Sequence, residues 1–155
     1  MSVSRPSLVG LNHIALEVED VEEALRFYES VFEFELRGSL KDDQGRLTMA
    51  FIDMGDQFLA LSGGRTQPPD TGRHFGLVVD DRSRVMDLAK AAGAKVAAGD
   101  FNFLDPWGNH IEVVAYRDVQ FSKRDEVLRA MGLDLEKSEE ARKQLREKMR
   151  SGEKD

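Results

Sequence analysis

"NHIALEVED" at residues 12–20 and "RHFGLVVDD" at residues 73–81 share one pattern at an offset of 61 residues. The two stretches superimpose without a gap, and the alignment places His13 on His74. Each stretch has the length and apolar content of a β-strand, and each ends on an aspartate that can cap a following helix. The chain has three histidines, and two of them occupy equivalent points of this repeat. The sequence therefore predicts two structurally similar modules.

The composition sets the class of protein. A chain of 155 residues can form one domain or two small modules that share a core. Hydrophobic residues at 41% and charged residues at 33% are typical of a soluble globular protein, and no apolar run approaches the ~20 residues that span a bilayer. The N-terminus has no apolar signal-peptide core, and the absence of cysteine excludes disulfides and thiolate metal sites. We therefore expect a cytoplasmic protein without a membrane partner.

The net charge of −7 is unevenly distributed along the chain. Residues 1–116 contain 11 Lys and Arg against 19 Asp and Glu, whereas residues 117–155 contain 11 against 10. An acidic body repels phosphate backbones, so nucleic acid is not expected as a partner. The nearly neutral C-terminal segment mixes both signs, which is typical of a solvated helical face.

Both halves predict the same order of elements. In the first half a strand ends at Asp20, which forms a capping-box pattern with Glu23 before an amphipathic helix. Three strand-like runs follow, and the Gly- and Pro-rich stretch "GGRTQPPDTG" then separates the halves. The second half repeats strand, helix and three strands in shorter form. The predicted fold class is α+β, with two βαβββ modules related by a pseudo-twofold axis and a sheet that curls around a cavity.

Residues 118–155 predict a C-terminal helical extension. Ser122 is a candidate N-cap for a short helix that stops at Gly132, and Ser138 is a candidate N-cap for a longer helix. The longer helix carries a narrow apolar stripe, which we expect to dock on the body or on the second subunit of a dimer. A thin stripe with mixed charges does not favour a membrane-surface helix.

Strand alternation indicates which side chains share the cavity. Successive residues point to opposite faces, so if Leu16 packs under the first helix, His13 points away from that helix. The same reasoning puts His74 on the cavity face, together with Glu112 of the last strand. Two imidazoles and one carboxylate suit Fe(II), Mn(II), Co(II), Ni(II) or Zn(II) and leave coordination positions open. The alternative is that both histidines are ordinary hydrogen-bonded residues and that Glu112 faces solvent.

His110 is two residues before Glu112 and shares its face. It is either a general acid or base, a substitute metal ligand, or a surface histidine that follows a turn. Asn102 and Tyr116 are weaker candidates for the cavity wall. Trp107 in "DPWGN" is expected to pack beside the turn rather than to bind a ligand.

Three stretches resemble the vicinal oxygen chelate superfamily, which includes glyoxalase I, fosfomycin- and bleomycin-resistance proteins, methylmalonyl-CoA epimerase and extradiol dioxygenases. They are "LNHIALEVEDVEEALRFYESVFEFEL", "HFGLVVDD" and "FNFLDPWGNHIEVV". The resemblance implies one domain over residues 8–117, with modules at 8–63 and 72–117, and an extension at 118–155. It also implies a homodimer that acts on a small-molecule substrate.

The resemblance implies a metal held by His13, His74 and Glu112. Some members have a fourth ligand in the last strand of the first module, where this chain has Ala60, so the implied site is open and has three ligands. Glu17 occupies the face where many glyoxalases carry an arginine for glutathione, which does not favour a typical glyoxalase I. The short segment "GAKVAAGD" likewise lacks the basic loop of fosfomycin transferases.

Two functions follow as hypotheses. The first is a divalent-metal-dependent enzyme of the glyoxalase or dioxygenase type, which chelates vicinal oxygens of its substrate and stabilises the developing oxyanion with Glu112 and His110 as catalytic residues. The second is a metal-free protein that sequesters a small molecule, as bleomycin-resistance proteins do. The acidic body is compatible with the second hypothesis, but that hypothesis does not require paired histidines.

Overall fold

The structure is a computed structural model that describes residues 5–7 and 9–151. The elements of the first module are β1 (His13–Glu17), α1 (Val21–Val31), β2 (Leu36–Lys41), β3 (Leu47–Asp53) and β4 (Phe58–Ser62). Those of the second are β5 (Phe75–Val79), α2 (Arg82–Ala91), β6 (Lys95–Val96), β7 (Asn102–Leu104) and β8 (His110–Ala115). A 3₁₀ turn (Tyr116–Asp118) leads to α3 (Asp125–Ala130) and α4 (Glu139–Ser151).

The two modules have the same strand order. The sheets run β1-β4-β3-β2 and β5-β8-β7-β6, and in both the first strand pairs in parallel with the last strand. The remaining pairs are antiparallel. The α+β architecture with two βαβββ modules is therefore confirmed.

The predicted helix caps hold α1 and α2 at equivalent points of the repeat. The side chain of Asp20 accepts a hydrogen bond from the backbone N–H of Glu23, and that of Asp81 accepts one from Arg84, both at 2.9 Å. Each bond satisfies one donor that a helix start leaves free. Among the residues that the structure describes, no helix is long and apolar enough to cross a membrane.

The core lies between the two helices and one face of each sheet. Leu16 is 5% exposed and Val18 is fully buried, as expected for the helix-facing side of β1. Other buried members of the same cluster are Val21, Ala24, Leu25, Phe27, Tyr28, Val31, Ala50, Ile52, Leu59, Leu61, Leu77, Val85, Ala89, Phe103, Ile111 and Val113. Trp107 packs edge-on against Phe27 with ring centroids 5.9 Å apart, so its predicted packing role is confirmed.

A buried polar network joins α1 to the turn before β8. The Tyr28 hydroxyl donates to Asp105 Oδ2 at 2.8 Å, and Asn109 Nδ2 donates to the same oxygen at 2.8 Å. Asn109 Nδ2 also donates to the backbone oxygen of Glu17 at 3.0 Å, which ties the turn to β1. The guanidinium of Arg65, in the segment between the modules, donates to Asn109 Oδ1 at 2.5 Å. Both modules and the connecting segment therefore share one network.

The C-terminal extension differs from its prediction at one end. Ser122 does not cap α3, because the helix begins at Asp125 and its N-cap, Arg124, has extended backbone without a side-chain cap bond. The preceding Lys123 donates to Asp56 and to the backbone oxygen of Met54, which holds this part of the chain against the β3–β4 turn. By contrast, Ser138 Oγ accepts from the backbone N–H of Ala141 at 3.2 Å, so the second cap is confirmed.

Lys137, which precedes α4, contacts the 3₁₀ turn and the segment that follows it. Its ammonium donates to the backbone oxygens of Tyr116 at 2.5 Å, of Val119 at 2.9 Å and of Phe121, and it lies 3.5 Å from the centre of the Tyr116 ring. Burial lowers the pKa of Lys137, but these contacts require the charged form. The apolar stripe of α4 is buried at its start and exposed at its end, because Ala141 is 1% exposed and Met149 is 68% exposed.

We predict that Tyr28→Phe lowers the free energy of unfolding at pH 7 by about 1–3 kcal/mol, because a buried acceptor loses a donor. Burial, followed by the charge and hydrogen bond of Asp105, raises the pKa of Tyr28. Above pH ~10 the unfolded chain releases a proton that the folded chain keeps, so this part of the stability falls as pH rises. Urea unfolding from pH 7 to 11 measures both effects.

The difference in stability between wild type and Tyr28→Phe should narrow above pH ~10, because the variant lacks this titration. Tyr116→Phe is the matched control, since it makes the same chemical change outside the network. A difference that stays constant from pH 7 to 11 would contradict the role assigned to Tyr28.

Candidate functional site

His74 and Glu112 lie together on the second module, where Glu112 is exposed between the buried Ile111 and Val113. The sheet register places Glu112 beside Gly76, which has no side chain to fill the space, and His74 directly precedes β5. His74 Nε2 is 3.6 Å from Glu112 Oε2, and the two side chains are about half exposed. Two atoms that bind one metal ion at 2.0–2.2 Å are themselves roughly 3.0–3.5 Å apart. The observed separation is close to that value.

The tautomer of His74 suits a metal ligand. Its Nδ1 is 3.0 Å from the backbone oxygen of Gly72. A carbonyl oxygen only accepts hydrogen bonds, so Nδ1 carries a proton, and in the neutral ring Nε2 keeps a lone pair on the side of Glu112. Neither atom of the His74–Glu112 pair would have to change its hydrogen bonds to accept an ion.

His13 lies at the start of β1, outside the His74–Glu112 pair. Its Nδ1 is 2.8 Å from Asn12 Oδ1, and its ring stacks on Phe58 with centroids 4.6 Å apart. Within residues 5–7 and 9–151, no group of three or more His, Cys, Asp or Glu side chains could hold a metal ion. The single chain therefore brings together two of the three predicted ligands, and the ligand role of all three remains a prediction.

Ala60 is buried rather than open to a cavity. It lies between Ala15 and Phe51 in the sheet and is 1% exposed. An alanine side chain has no atom that can coordinate a metal ion. Any fourth coordination position must therefore be filled by something other than this residue.

His110 is a half-buried residue beside the His74–Glu112 pair. Its ring centroid lies 5.4 Å from that of His74, and its Nε2 is 3.2 Å from Asn102 Oδ1. Its Nδ1 is buried and has no hydrogen-bond partner in the part of the chain that is described. The geometry excludes a freely exposed surface histidine. Tyr116, by contrast, is 6% exposed under Lys137 and does not line the site.

Two cavities adjoin these residues. One of about 370 Å³ is lined by Asp70, Thr71, Lys95, Val96, Ala97, Asn102, Leu104 and His110. The other, of about 420 Å³, is lined by Ile14, Ala15, Leu16, Glu17, Met49, Ser62, Arg65, Gln67, Asp70, Arg73, His74, Phe75 and Asn109. Two carboxylates and two guanidinium groups therefore face the second cavity, so its charged side chains are balanced before any ligand binds.

Asp70 lies at the junction of the two cavities. Burial acts to raise the pKa of its carboxyl group, but the hydrogen bond and charge of Arg73 and the charge of Arg65 outweigh burial and lower that pKa. Arg73 lies 2.7 Å from the carboxylate and is largely exposed, whereas the side chain of Arg65 is 4% exposed. Arg65 is therefore a structural residue, and Arg73 is the more accessible cation beside His74.

Asn12 and Arg65 were not among the residues predicted from the sequence. Asn12 is adjacent to His13 in the first repeat, so its position was a usable signal. Arg65 lies in the segment between the modules, where polar residues are common and no local pattern marks a buried cation.

The chain was compared with families and proteins of known sequence. A family model described as the Glyoxalase/Bleomycin resistance protein/Dioxygenase superfamily matches residues 10–113. A probable lactoylglutathione lyase of Vibrio parahaemolyticus is 31% identical over 93 residues, which cover 54% of this chain and 67% of that protein. The family match includes both histidine-bearing stretches, residues 12–20 and 73–81.

Solved structures resemble the fold. The genomically encoded fosfomycin resistance protein FosX of Listeria monocytogenes has a TM-score of 0.60 at 22% identity, over 70% of this chain and 93% of that chain. A structure of that protein with Mn(II) and a sulfate ion has a TM-score of 0.59 at 20% identity, over 69% and 92%. These identities show a common fold and no more. The family match covers most of the chain, and the chain therefore belongs to the Glyoxalase/Bleomycin resistance protein/Dioxygenase superfamily.

Proposed function

We propose that the protein is a divalent-metal-dependent enzyme whose ion binds His13, His74 and Glu112. The observation that carries the proposal is the His74–Glu112 pair, with 3.6 Å between Nε2 and Oε2 and the Nδ1 proton held by a backbone oxygen. This arrangement presents a lone pair and a carboxylate to one point in space. The substrate is a small molecule with two neighbouring oxygens.

We propose that His13 is supplied by the second subunit of a homodimer. Each sheet packs its helix against one face. On the opposite face, the first sheet exposes His13 and Glu17, and the second sheet exposes Glu112. A twofold axis can lay the first module of one chain over the second module of its partner, and it then forms two identical sites. The exposed faces become the walls of those sites.

The donor set fits several ions. Imidazole and carboxylate ligands suit Mn(II), Fe(II), Co(II), Ni(II) and Zn(II), and the proposal does not choose among them. The Mn(II) in the Listeria protein supports a divalent ion on this fold. Because Ala60 offers no ligand, the site would keep positions for two substrate oxygens. The cysteine-free sequence supports a cytoplasmic location as part of the same proposal.

A bound divalent ion would act as a Lewis acid on the substrate oxygens and stabilise negative charge there. The chain's own residues orient the substrate and handle its proton. His110 exchanges a proton at Nε2, since that atom meets Asn102 on the cavity wall while Nδ1 is buried. Glu112 contributes its negative charge beside His74. Lyase, isomerase and dioxygenase reactions all fit this arrangement.

A metal-free binding protein is the second candidate. It is favoured by one observation, that the described part of a single chain does not assemble three metal ligands. In that case the acidic body would attract a cationic small molecule. The two functions differ in one directly measurable property, which is the metal content of protein purified without a histidine tag.

We predict that wild-type protein retains one of the five ions after dialysis, and that His13→Ala and His74→Ala each lose most of it. Two remaining ligands hold an ion poorly, whereas Glu112→Gln keeps an oxygen but not its charge and should weaken binding without abolishing it. His110→Ala is the control and should keep the metal. If wild type binds none of Mn, Fe, Co, Ni and Zn, the enzyme proposal fails and the binding protein replaces it.

We predict that subunits of His13→Ala and His74→Ala complement each other when they are unfolded and refolded together. In a shared-site dimer, each mixed dimer contains one complete site and one site that lacks both histidines. Random assortment should then restore about a quarter of the wild-type metal content. If all ligands come from one chain, no combination has a complete site, and the mixture should stay as metal-poor as either variant alone.

A further inference from the structure

The imidazole of His13 is held by two side chains. Asn12 Oδ1 lies 2.8 Å from Nδ1, and the Phe58 ring stacks on the imidazole with centroids 4.6 Å apart and an angle of 12° between the planes. The first contact fixes rotation of the ring about its bond to the chain, and the second fixes the plane of the ring. Among the residues that the structure describes, Nε2 is the nitrogen of this ring that makes no hydrogen bond.

Phe58 is itself held from two directions. The Phe51 ring meets it edge-on at 5.8 Å and 85°, and the Arg37 guanidinium carbon lies 4.9 Å from its centre. Arg37 is in turn fixed by an ion pair of 2.9 Å with Asp53. The surface on which His13 rests is therefore fixed before any ligand arrives.

The Asn12 contact determines where the His13 proton resides. An amide oxygen only accepts hydrogen bonds, so with Oδ1 facing the ring Nδ1 carries the hydrogen, and in the neutral ring Nε2 keeps its lone pair. A neutral histidine in water favours the opposite tautomer, with the hydrogen on Nε2, which cannot bind a metal through that atom. Asn12 thus selects the tautomer that leaves Nε2 available.

In the second module, a backbone oxygen rather than a side chain accepts the hydrogen bond from the histidine. His74 Nδ1 donates to the backbone oxygen of Gly72 at 3.0 Å. Both repeat-related histidines therefore have Nδ1 bound to an oxygen two residues away or fewer. The difference is that a substitution can remove the side-chain acceptor of His13, whereas no substitution removes a backbone carbonyl. Module one therefore offers a direct test.

We infer that Asn12 and Phe58 are positioning residues, which set the tautomer and orientation of His13 so that its Nε2 can bind an ion. The inference rests on the proposed function, because it takes His13 as a metal ligand. A hydrogen bond between exposed groups contributes little to folding, so its loss should affect metal affinity far more than stability. Partners of this kind change metal affinity by about 10–100-fold.

The first measurement is nitrogen NMR of the imidazole rings in metal-free protein. Wild type should show His13 with its proton on Nδ1, and Asn12→Asp should match it, because a carboxylate oxygen accepts the same hydrogen bond. Asn12→Ala should shift His13 toward the Nε2–H form. Gln57→Ala is the control, since Gln57 Nε2 donates a hydrogen bond to the backbone oxygen of Leu11, also next to β1, and not to the imidazole nitrogen that Asn12 contacts.

Two results of the NMR measurement would overturn the inference. One is a wild-type His13 with its proton on Nε2, which would mean that the amide presents its NH₂ group to Nδ1. The other is an Asn12→Ala protein whose tautomer does not change. Neither result depends on whether a metal binds.

The second measurement is metal affinity by competition with a chelator, using Mn(II) and Zn(II) alone. Asn12→Ala should bind about 10–100-fold more weakly than wild type, and Asn12→Asp should recover most of the affinity. Phe58→Leu keeps an apolar side chain but removes the stacked ring, so it should also weaken binding. The thermal midpoints of the Asn12 variants should match that of wild type.

The outcomes separate the two claims. If wild type binds no metal, the proposed function fails, while the NMR result still decides whether Asn12 controls the tautomer. If wild type binds metal and Asn12→Ala binds it equally well, the positioning role alone is wrong. The positioning role is also wrong if Asn12→Asp binds metal as weakly as Asn12→Ala. The loss of affinity would then be explained by disturbance of the strand and not by loss of the hydrogen-bond acceptor.

Discussion

The carboxylate of Asp105 connects the two modules. A buried charge destabilises a fold unless hydrogen bonds replace the water that it loses. This carboxylate receives hydrogen bonds from the Tyr28 hydroxyl, from the side chain of Asn109 and from the backbone N–H groups of Trp107 and Asn109. The residue is 3% exposed, so these donors replace its water. The same bonds shape the turn that precedes β8, the strand that carries Glu112. The candidate site therefore depends on a structural residue that lies outside it.

The features that could be predicted from the sequence are those encoded by neighbouring residues. The strand alternation and the aspartate caps involve positions a few residues apart, and the repeat was visible because the same local pattern recurs 61 residues later. The structure confirms all three. Contacts between distant residues that no repeat or alternation marks could not be predicted. Arg65 and Asn109 are 44 positions apart, and Lys123 and Asp56 are 67 apart. The second of these contacts lies beside Ser122, in the segment that precedes α3 and that the sequence pattern assigned to the helix.

The candidate site was predicted in part for the same reason. Alternation within each strand predicted that His74 and Glu112 share a face, and the parallel register of β5 and β8 then brings them within 3.6 Å of each other. The relation of His13 to that pair depends on how whole modules are arranged, and strand periodicity contains no information on such arrangements. What the repeat did anticipate is local equivalence, since both histidines have Nδ1 against an oxygen acceptor.

The segment between the modules has the composition of a flexible connection, but its contacts are those of a rigid one. Arg65 is almost fully buried, and its guanidinium reaches the backbone oxygens of Glu17 and Pro68 as well as Asn109. A hinge needs a few residues that can change their backbone angles freely, and here such a change would break bonds to both sides. The two halves of one chain should therefore move as a single rigid body, so that substrate entry depends on small side-chain and loop motions rather than on domain opening.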